Sequence, residues 1–167
     1  MRIHDDKLRS DRLVFYAQDV ERLDGELDAF LELCGARCAM LIDKEGHLVT
    51  RRGEALHSSV ESISALIAGS FAATKEMARQ LGEDEFTVLF HPGARDSIQL
   101  QLVGERTLLA VLFDQRTNLG LVRFYGQEAS RQLAAIFADM AARPEQEGSG
   151  LSQDFSKDAS DALDKLF

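Results

Sequence analysis

The stretch SIQLQLVGERTLLAVLFD, residues 97–114, decides the fold. Successive side chains of a β-strand point to opposite faces, so SIQLQLV places Ile98 and two leucines on one face and two glutamines on the other. This alternation predicts a strand with one wetter face. Gly104 and Glu105 then predict a turn, and the following TLLAVLFD is apolar on both faces, as the central strand of a sheet would be.

The segments that flank this hairpin predict further strands and a helix. Residues 86–90 are apolar enough for a strand that leads into the hairpin. Further upstream, RCAMLID and HLVTRR are joined by the turn KEG, in which Gly46 can adopt the left-handed conformation that closes an antiparallel pair. Downstream, Asn118 can begin a helix whose apolar side continues to Met140 and which ends before Pro144.

Two more helices are predicted by apolar residues spaced three and four apart. The first covers residues 19–34 and is followed by Gly35, where a helix can end. The second begins after Ser58 or Ser59, either of which can cap it, and reaches Leu81 just before another glycine. The predicted order is therefore helix, two strands, helix, three strands and helix, which is an α+β arrangement.

Length, composition and charge narrow the class of protein. A chain of 167 residues with 45% hydrophobic content can build one domain with a real core. No apolar run approaches the roughly 18 residues of a membrane span, and residues 1–10 alternate charges where a signal peptide would be apolar. We therefore expect a cytoplasmic protein without membrane insertion. The net charge of −9 would repel phosphate backbones, so nucleic acid is not an expected partner.

The sequence contains no recognisable catalytic or metal-binding motif. Cys34 and Cys38 lack a second cysteine pair and a nearby histidine, so we expect two small buried residues in a reducing compartment. The histidines fall in no Ser/His/Asp pattern, and the sequence has no glycine-rich phosphate loop. No catalytic residue, metal site or cofactor is therefore predicted.

The long second helix has an outward face on which two central turns carry only alanine and glycine. With Ile63 at the centre of the inward face, the large side chains of Leu66, Met77 and Leu81 point to the sheet. High helix propensity explains exposed alanines, but a glycine inside a helix costs about 1 kcal/mol relative to alanine. We therefore interpret the outward face as a surface for close contact with another chain, with helix propensity as the alternative. Its residues are Ala65, Ala68, Gly69, Ala72, Glu76 and Arg79.

The composition changes after Pro144. Residues 143–156 are polar and contain glycine and serine, which predicts a flexible linker after a domain of residues 1–142. Residues 157–167, the terminal segment, form an amphipathic pattern that is too short for a stable isolated helix. Two interpretations stay open: the segment packs on its own domain, or it is a tethered docking helix for a partner. The partner-binding candidates in it are Leu163, Leu166 and Phe167.

Four stretches of the chain resemble the roadblock/LC7 family, specifically its bacterial MglB type. They are LIDKEGHLV, SISALIAGSFAAT, FHPGARDSIQLQLVGERTLLAVLFDQRTNLGLVRF and DALDKLF. The similarity runs from about residue 13 to residue 137 and is most specific in residues 90–124. The resemblance implies a roadblock fold of order αββαβββα with a central five-stranded antiparallel sheet. It also implies a homodimer in which the third strands pair, so that one sheet extends across both subunits.

The resemblance implies a function as well. MglB-type dimers bind an MglA-type small Ras-like GTPase across their paired second helices and stimulate GTP hydrolysis, and their C-terminal helix reaches a second site and affects nucleotide exchange. Ala72 and Glu76 match positions that line the GTPase-binding surface, although a small residue can stand at position 76 in relatives. The other outward residues flank them. Cell polarity and motility, with recruitment to a cell pole, are further expectations from the resemblance.

The mechanism of stimulation is a separate question. Many activators insert an arginine at the transferring phosphoryl group, and Arg79 and Arg95 are the candidates here. We interpret both as solvated surface residues, because the MglB type implies no arginine finger. The protein would then be a GTPase activator whose catalytic groups come from the partner. The alternative is a roadblock scaffold that leaves nucleotide turnover unchanged.

Overall fold

Within residues 17–143, three helices and five strands follow one another in the predicted order. The computed structural model of the chain describes these residues, and residues 1–16 and 144–167 lie outside them. The elements are α1 (Ala17–Cys34), β1 (Cys38–Asp43), β2 (Leu48–Gly53), α2 (Val60–Leu81), β3 (Val88–His91), β4 (Ser97–Val103), β5 (Thr107–Phe113) and α3 (Leu119–Ala141). The predicted α+β class is confirmed.

The five strands form one antiparallel sheet in the order β2-β1-β5-β4-β3. The hairpin predicted from residues 97–114 is present, since Ser97 pairs with Phe113 and Val103 pairs with Thr107. On its other side β5 pairs with β1, which makes β5 the central strand. β2 and β3 are therefore the two edge strands.

The sheet separates two apolar clusters. α1 and α3 pack on one face of the sheet, and α2 packs on the other. Because β5 is apolar from Leu108 to Phe113, its alternate residues contribute to both clusters. Representative residues are Leu27, Leu109, Val111 and Leu133 in the first cluster and Met40, Ile67, Phe71 and Leu108 in the second.

The start and stop signals of the helices act as predicted. Ser59 rather than Ser58 caps α2, and its side-chain oxygen accepts a hydrogen bond from the backbone N–H of Ser62 at 3.3 Å. Gly82 ends α2 in the left-handed conformation, with φ at 80°. Asn118 caps α3 by accepting a hydrogen bond from the backbone N–H of Leu121 at 3.0 Å.

β4 lacks the wetter face that its alternation predicted. Gln99 is only 2% exposed, because α3 covers the face of β4 that the two glutamines share. A methyl group added at Gly126 of α3 would lie 3.2 Å from the side-chain oxygen of Gln101. The glycine thus leaves room for the amides, and the prediction was wrong because polar side chains here meet a helix instead of water.

α1 and α3 run antiparallel and are joined at both ends. At the end of α1, the Thr117 hydroxyl donates a hydrogen bond to the carbonyl oxygen of Cys34 at 2.5 Å. Near the start of α1, Arg22 pairs with Asp139 of α3 at 3.1 Å. Beside that pair, the guanidinium of Arg143 binds both carboxylate oxygens of Asp19, whose side chain is fully buried.

Candidate partner-binding face of the second helix

The structure exposes most of the predicted outward residues of α2. Of the six, five are solvent-exposed: Ala65, Gly69, Ala72, Glu76 and Arg79. Ala68 is only 6% exposed, so its placement on the outward face was wrong. The other three candidates, Leu163, Leu166 and Phe167, lie outside the described residues, as does most of the predicted linker.

Ala68 is buried because the β1–β2 turn packs directly on α2. Gly46 in this turn has a φ of 97°, and a methyl group added there would lie 3.0 Å from the Cα atom of Ala65. The same methyl group would lie 3.6 Å from the Cβ atom of Ala68. Ala65 and Ala68 thus allow the turn of their own chain to pack closely on α2. From sequence, we had interpreted these small residues as a surface for contact with another chain.

The buried face of α2 is also rotated from its predicted position. Ser64 and Thr74 are buried, because their hydroxyls donate to the carbonyl oxygens of Val60 at 2.7 Å and Ser70 at 2.9 Å. Because these two residues belong to the buried face, the centre of that face lies roughly 60° around the helix axis from the predicted centre, at 100° per residue. Three large residues predicted to face the sheet are therefore exposed, namely Leu66, Met77 and Leu81, the first of them by 71%.

The outer face of α2, as we use the term, consists of two adjacent strips. One strip is small and contains Ala65, Gly69 and Ala72, and the other is apolar and contains Leu66, Ala73 and Met77. Leu66 and Met77 lie about three turns apart on this strip with Ala73 between them, and an exposed apolar strip of this kind typically marks an interaction surface. The apolar strip was missed from sequence, although its spacing of seven and four residues was a usable signal.

Gly69 has no packing role within the described chain. A methyl group added at this position would meet no heavy atom within 4 Å, leaving aside the backbone of its own helix turn. The stability that a glycine costs inside a helix is therefore not recovered by a close contact of α2 with its own sheet. Close approach of a second chain to the outer face would account for the glycine.

Glu76 and Arg79 form an ion pair along the outer face. The Arg79 guanidinium donates to the two carboxylate oxygens of Glu76 at 3.0 and 2.6 Å, and Gln80 donates to one of them at 3.2 Å. These hydrogen bonds, that of Arg79 first, lower the pKa of the Glu76 carboxyl, and the same pairing raises the pKa of Arg79. The charge of Glu76 is thus partly neutralised beside Ala72. Arg95, the other arginine considered, is exposed in the β3–β4 loop.

Two glycine substitutions distinguish a glycine that packs within the chain from one that does not. Gly46→Ala should destabilise the chain by about 2 kcal/mol, because alanine is strained at positive φ and its methyl group would press on Ala65. Gly69→Ala should stabilise the chain by up to about 1 kcal/mol, because it fills open space in a helix. Urea unfolding of both variants measures the difference, and equal stabilities would refute this assignment.

The described residues offer little for catalysis. Cys34 and Cys38 are both buried, and burial raises the pKa of each thiol, so neither is an activated nucleophile. A concavity of about 480 Å³ beside Lys44 and Lys75 contains Glu85, whose carboxylate lies 3.7 and 3.9 Å from the two ammonium groups. Both lysines are thus ion-paired with Glu85, and the three groups do not form a nucleophile with an adjacent general base.

A cluster of two carboxylates and a histidine lies on the β1–β2 turn. Oxygen and nitrogen atoms of Asp43, Glu45 and His47 lie within 4.8 Å of one another. The turn itself explains this arrangement, because Asp43 accepts hydrogen bonds from the backbone N–H groups of Glu45 at 3.0 Å and His47 at 2.8 Å.

No helix in residues 17–143 combines the length and the apolar character that crossing a bilayer requires.

Comparison with known proteins identifies the fold. The family profile of the Roadblock/LC7 domain matches residues 23–113. A solved Myxococcus xanthus MglB is 35% identical over 80% of this chain and 100% of its own, with a TM-score of 0.73. The Thermus thermophilus gliding protein MglB is 36% identical over 76% of this chain and 96% of its own, with a TM-score of 0.69.

A third similar structure is an MglB described as having a tetrameric arrangement. It is 32% identical over 77% of this chain and 96% of its own, with a TM-score of 0.73. A fission yeast profilin shares the fold alone, at 13% identity and a TM-score of 0.52. No curated protein matches the chain significantly.

Proposed function

Because the chain belongs to the Roadblock/LC7 family, we propose that it regulates a small Ras-like GTPase of the MglA type. It binds this GTPase as a homodimer through the outer face of α2 and stimulates GTP hydrolysis. The exposed strips of α2 are the observation that carries the proposal, because a single chain leaves Leu66 and Met77 in water beside a glycine that its own core does not need. The similarity to MglB structures supports the choice of partner.

The sheet supports the homodimer. α2 lies over β1 and β2, so the same face of β3 and β4 carries the partly buried side chains Leu89, Ile98 and Leu102. A second copy that places its own α2 next to the first would cover these side chains and the apolar strip. The edge strand β3 has a free side at which the β3 of that copy can pair, which would extend the sheet across both subunits.

The outer face of α2 favours stimulation without an arginine finger. An inserted arginine must reach the transferring phosphoryl group with its donors available. Arg79 instead donates to both oxygens of Glu76, and Ala72 beside it carries only a methyl group. The dimer therefore acts by preferring the GTPase conformation in which the catalytic groups of the GTPase are correctly placed.

The terminal segment, residues 157–167, has the second role in this proposal. Its amphipathic pattern suits a helix that docks in an apolar groove, and its tether keeps it close to a GTPase held on α2. Docking at a second site on the GTPase would promote nucleotide exchange. The protein acts in the cytoplasm, and recruitment to a cell pole would link it to polarity and motility.

A turnover assay distinguishes this function from that of a scaffold. GTP hydrolysis by the MglA-type GTPase of the same organism is measured alone, with the full chain and with residues 1–143. We expect both forms of the chain to raise turnover at least about tenfold, a difference of 1.4 kcal/mol in the barrier. Release of a fluorescent GDP should be accelerated by the full chain alone. If the full chain binds the GTPase and turnover stays at the intrinsic rate, the protein is an adaptor.

A further inference from the structure

A second exposed apolar surface lies on the side of the sheet opposite α2. The outer α1–α3 patch, as we call it, consists of Leu33, Leu121 and Phe124, which are 61, 42 and 69% exposed. The Phe124 ring meets the ring of Tyr125 edge to face, with centroids 5.1 Å apart. An aromatic and two leucines on one surface are more than the scattered apolar residues of an ordinary exterior.

Leu33 and Leu121 belong to the outer seam between α1 and α3, and Phe124 lies about one turn after Leu121 on the exposed side of α3. Arg22 and Asp139, which bond to each other, mark the facing sides of the two helices. Leu33 follows Arg22 by eleven residues, about three helical turns, and Leu121 precedes Asp139 by eighteen residues, five turns, so both lie on those facing sides. The bond between Thr117 and Cys34 holds the two helix ends together at this position. A partner on the outer face of α2 leaves this patch uncovered.

The chain leaves the described domain on the same side of the sheet. The buried pair of Asp19 and Arg143 fixes residue 143 at the start of α1, at the far end of the α1–α3 seam. From there to Leu121 is about 30 Å along α3, at 1.5 Å per residue. The thirteen residues 144–156 would have a mean span of about 20 Å as a flexible chain and at most about 43 Å when extended. The linker can therefore reach the patch without full extension, which keeps the terminal segment at a high effective concentration near it.

The chemistry of the terminal segment fits the patch. Its apolar residues fall on one helical face, and acidic residues such as Asp161 and Asp164 fall on the other. Arg123, next to Phe124 in sequence, is exposed on α3 and offers a positive charge near the edge of the patch to those acidic residues. The apolar residues of the segment are Ala159, Ala162, Leu163, Leu166 and Phe167.

We propose that residues 157–167 dock as a helix on the outer α1–α3 patch of their own chain when no GTPase is bound. Docking covers Leu33, Leu121 and Phe124 and gives the segment the partner that a helix of this length needs to be ordered. A segment held on the patch is withdrawn from any other binding site. If the proposed function holds, the GTPase must compete with the patch for the segment, so the patch limits nucleotide exchange.

Amide hydrogen exchange of the full chain, with no GTPase present, tests the docking. We expect residues 157–167 to exchange at least about tenfold more slowly in the chain than in a free peptide of the same sequence. Phe124→Ser in the full chain should return the exchange to the rate of the free peptide. The matched control is Leu81→Ser, which changes a similarly exposed apolar residue at the end of α2, outside its outer face, and should leave the protection unchanged.

The possible results are distinct from those of the turnover assay, because no GTPase takes part. Exchange as fast as in the free peptide in the unmodified chain would overturn the docking. Protection that survives Phe124→Ser, or that is lost with Leu81→Ser, would overturn it too, since the segment would then lie elsewhere. Thermal unfolding of both variants checks the fold of the domain, and we expect both to remain folded because the two positions are exposed.

Discussion

Ala72→Arg should reduce GTP turnover in the presence of the chain to the intrinsic rate of the GTPase. Ala72 is exposed near the middle of the outer face of α2, where its small neighbour Gly69 allows another backbone to approach. A long charged side chain would separate the two surfaces and would have to lose its hydration wherever they still touched. The chain itself should keep its fold, because substitutions at exposed helical positions rarely change stability by more than about 0.5 kcal/mol.

Ala138→Arg is the matched control for this variant. Ala138 is an exposed alanine of α3, on the opposite side of the sheet, so the same change adds the same charge far from α2. Stimulated turnover with this variant should equal that with the unmodified chain. Full stimulation by Ala72→Arg, with the dimer intact in sedimentation analysis, would remove the outer face of α2 as the GTPase site.

Arg143→Met should lower the stability of the domain by about 3 kcal/mol. Removing the arginine takes both guanidinium hydrogen bonds away from the fully buried Asp19 carboxylate, and breaking one side of a buried ion pair typically costs 3–5 kcal/mol. The low end applies because the Arg143 side chain is itself 40% exposed, so water can enter. We expect the melting temperature to fall by about 10 °C in calorimetry.

Arg22→Met is the control for that experiment. Arg22 also links α1 to α3, through Asp139, but both side chains of this pair are exposed, so the loss should be below about 1 kcal/mol. Replacing Asp19 and Arg143 together by leucine and methionine should recover much of the stability, because no charge is then left buried. Equal costs for the two single variants would show that burial of Asp19 does not decide the stability of this link.

The backbone arrangement of the domain could be predicted from sequence because its signals are local. The hairpin of residues 97–114 combines a period of two, a glycine turn and a strand that is apolar on both faces, and the structure shows β5 at the centre of the sheet. Ser59, Gly82 and Asn118 cap or end their helices through contacts within four residues. Such signals do not depend on what the element later packs against.

Side-chain burial was harder to predict because it depends on neighbours distant in sequence. Gln99 is buried since α3 crosses β4 at a glycine, and Ala68 is buried since the β1–β2 turn rests on α2. Ser64 can face the core because its hydroxyl donates a hydrogen bond to a carbonyl oxygen of its own helix. The buried face of α2 is therefore rotated from the predicted one, and Leu66 is exposed. A helical projection that ranks residues by size alone misses each of these effects.

The most direct test of regulation by α2 is the affinity of the unmodified chain for the two nucleotide states of its GTPase. Isothermal titration calorimetry measures binding to the GTPase loaded with a non-hydrolysable GTP analogue and with GDP. A regulator that stimulates hydrolysis by favouring one conformation can act only as far as its affinities differ. We expect the form loaded with the GTP analogue to bind at least about tenfold more tightly, a difference of 1.4 kcal/mol. Equal affinities for the two forms would contradict the proposed function.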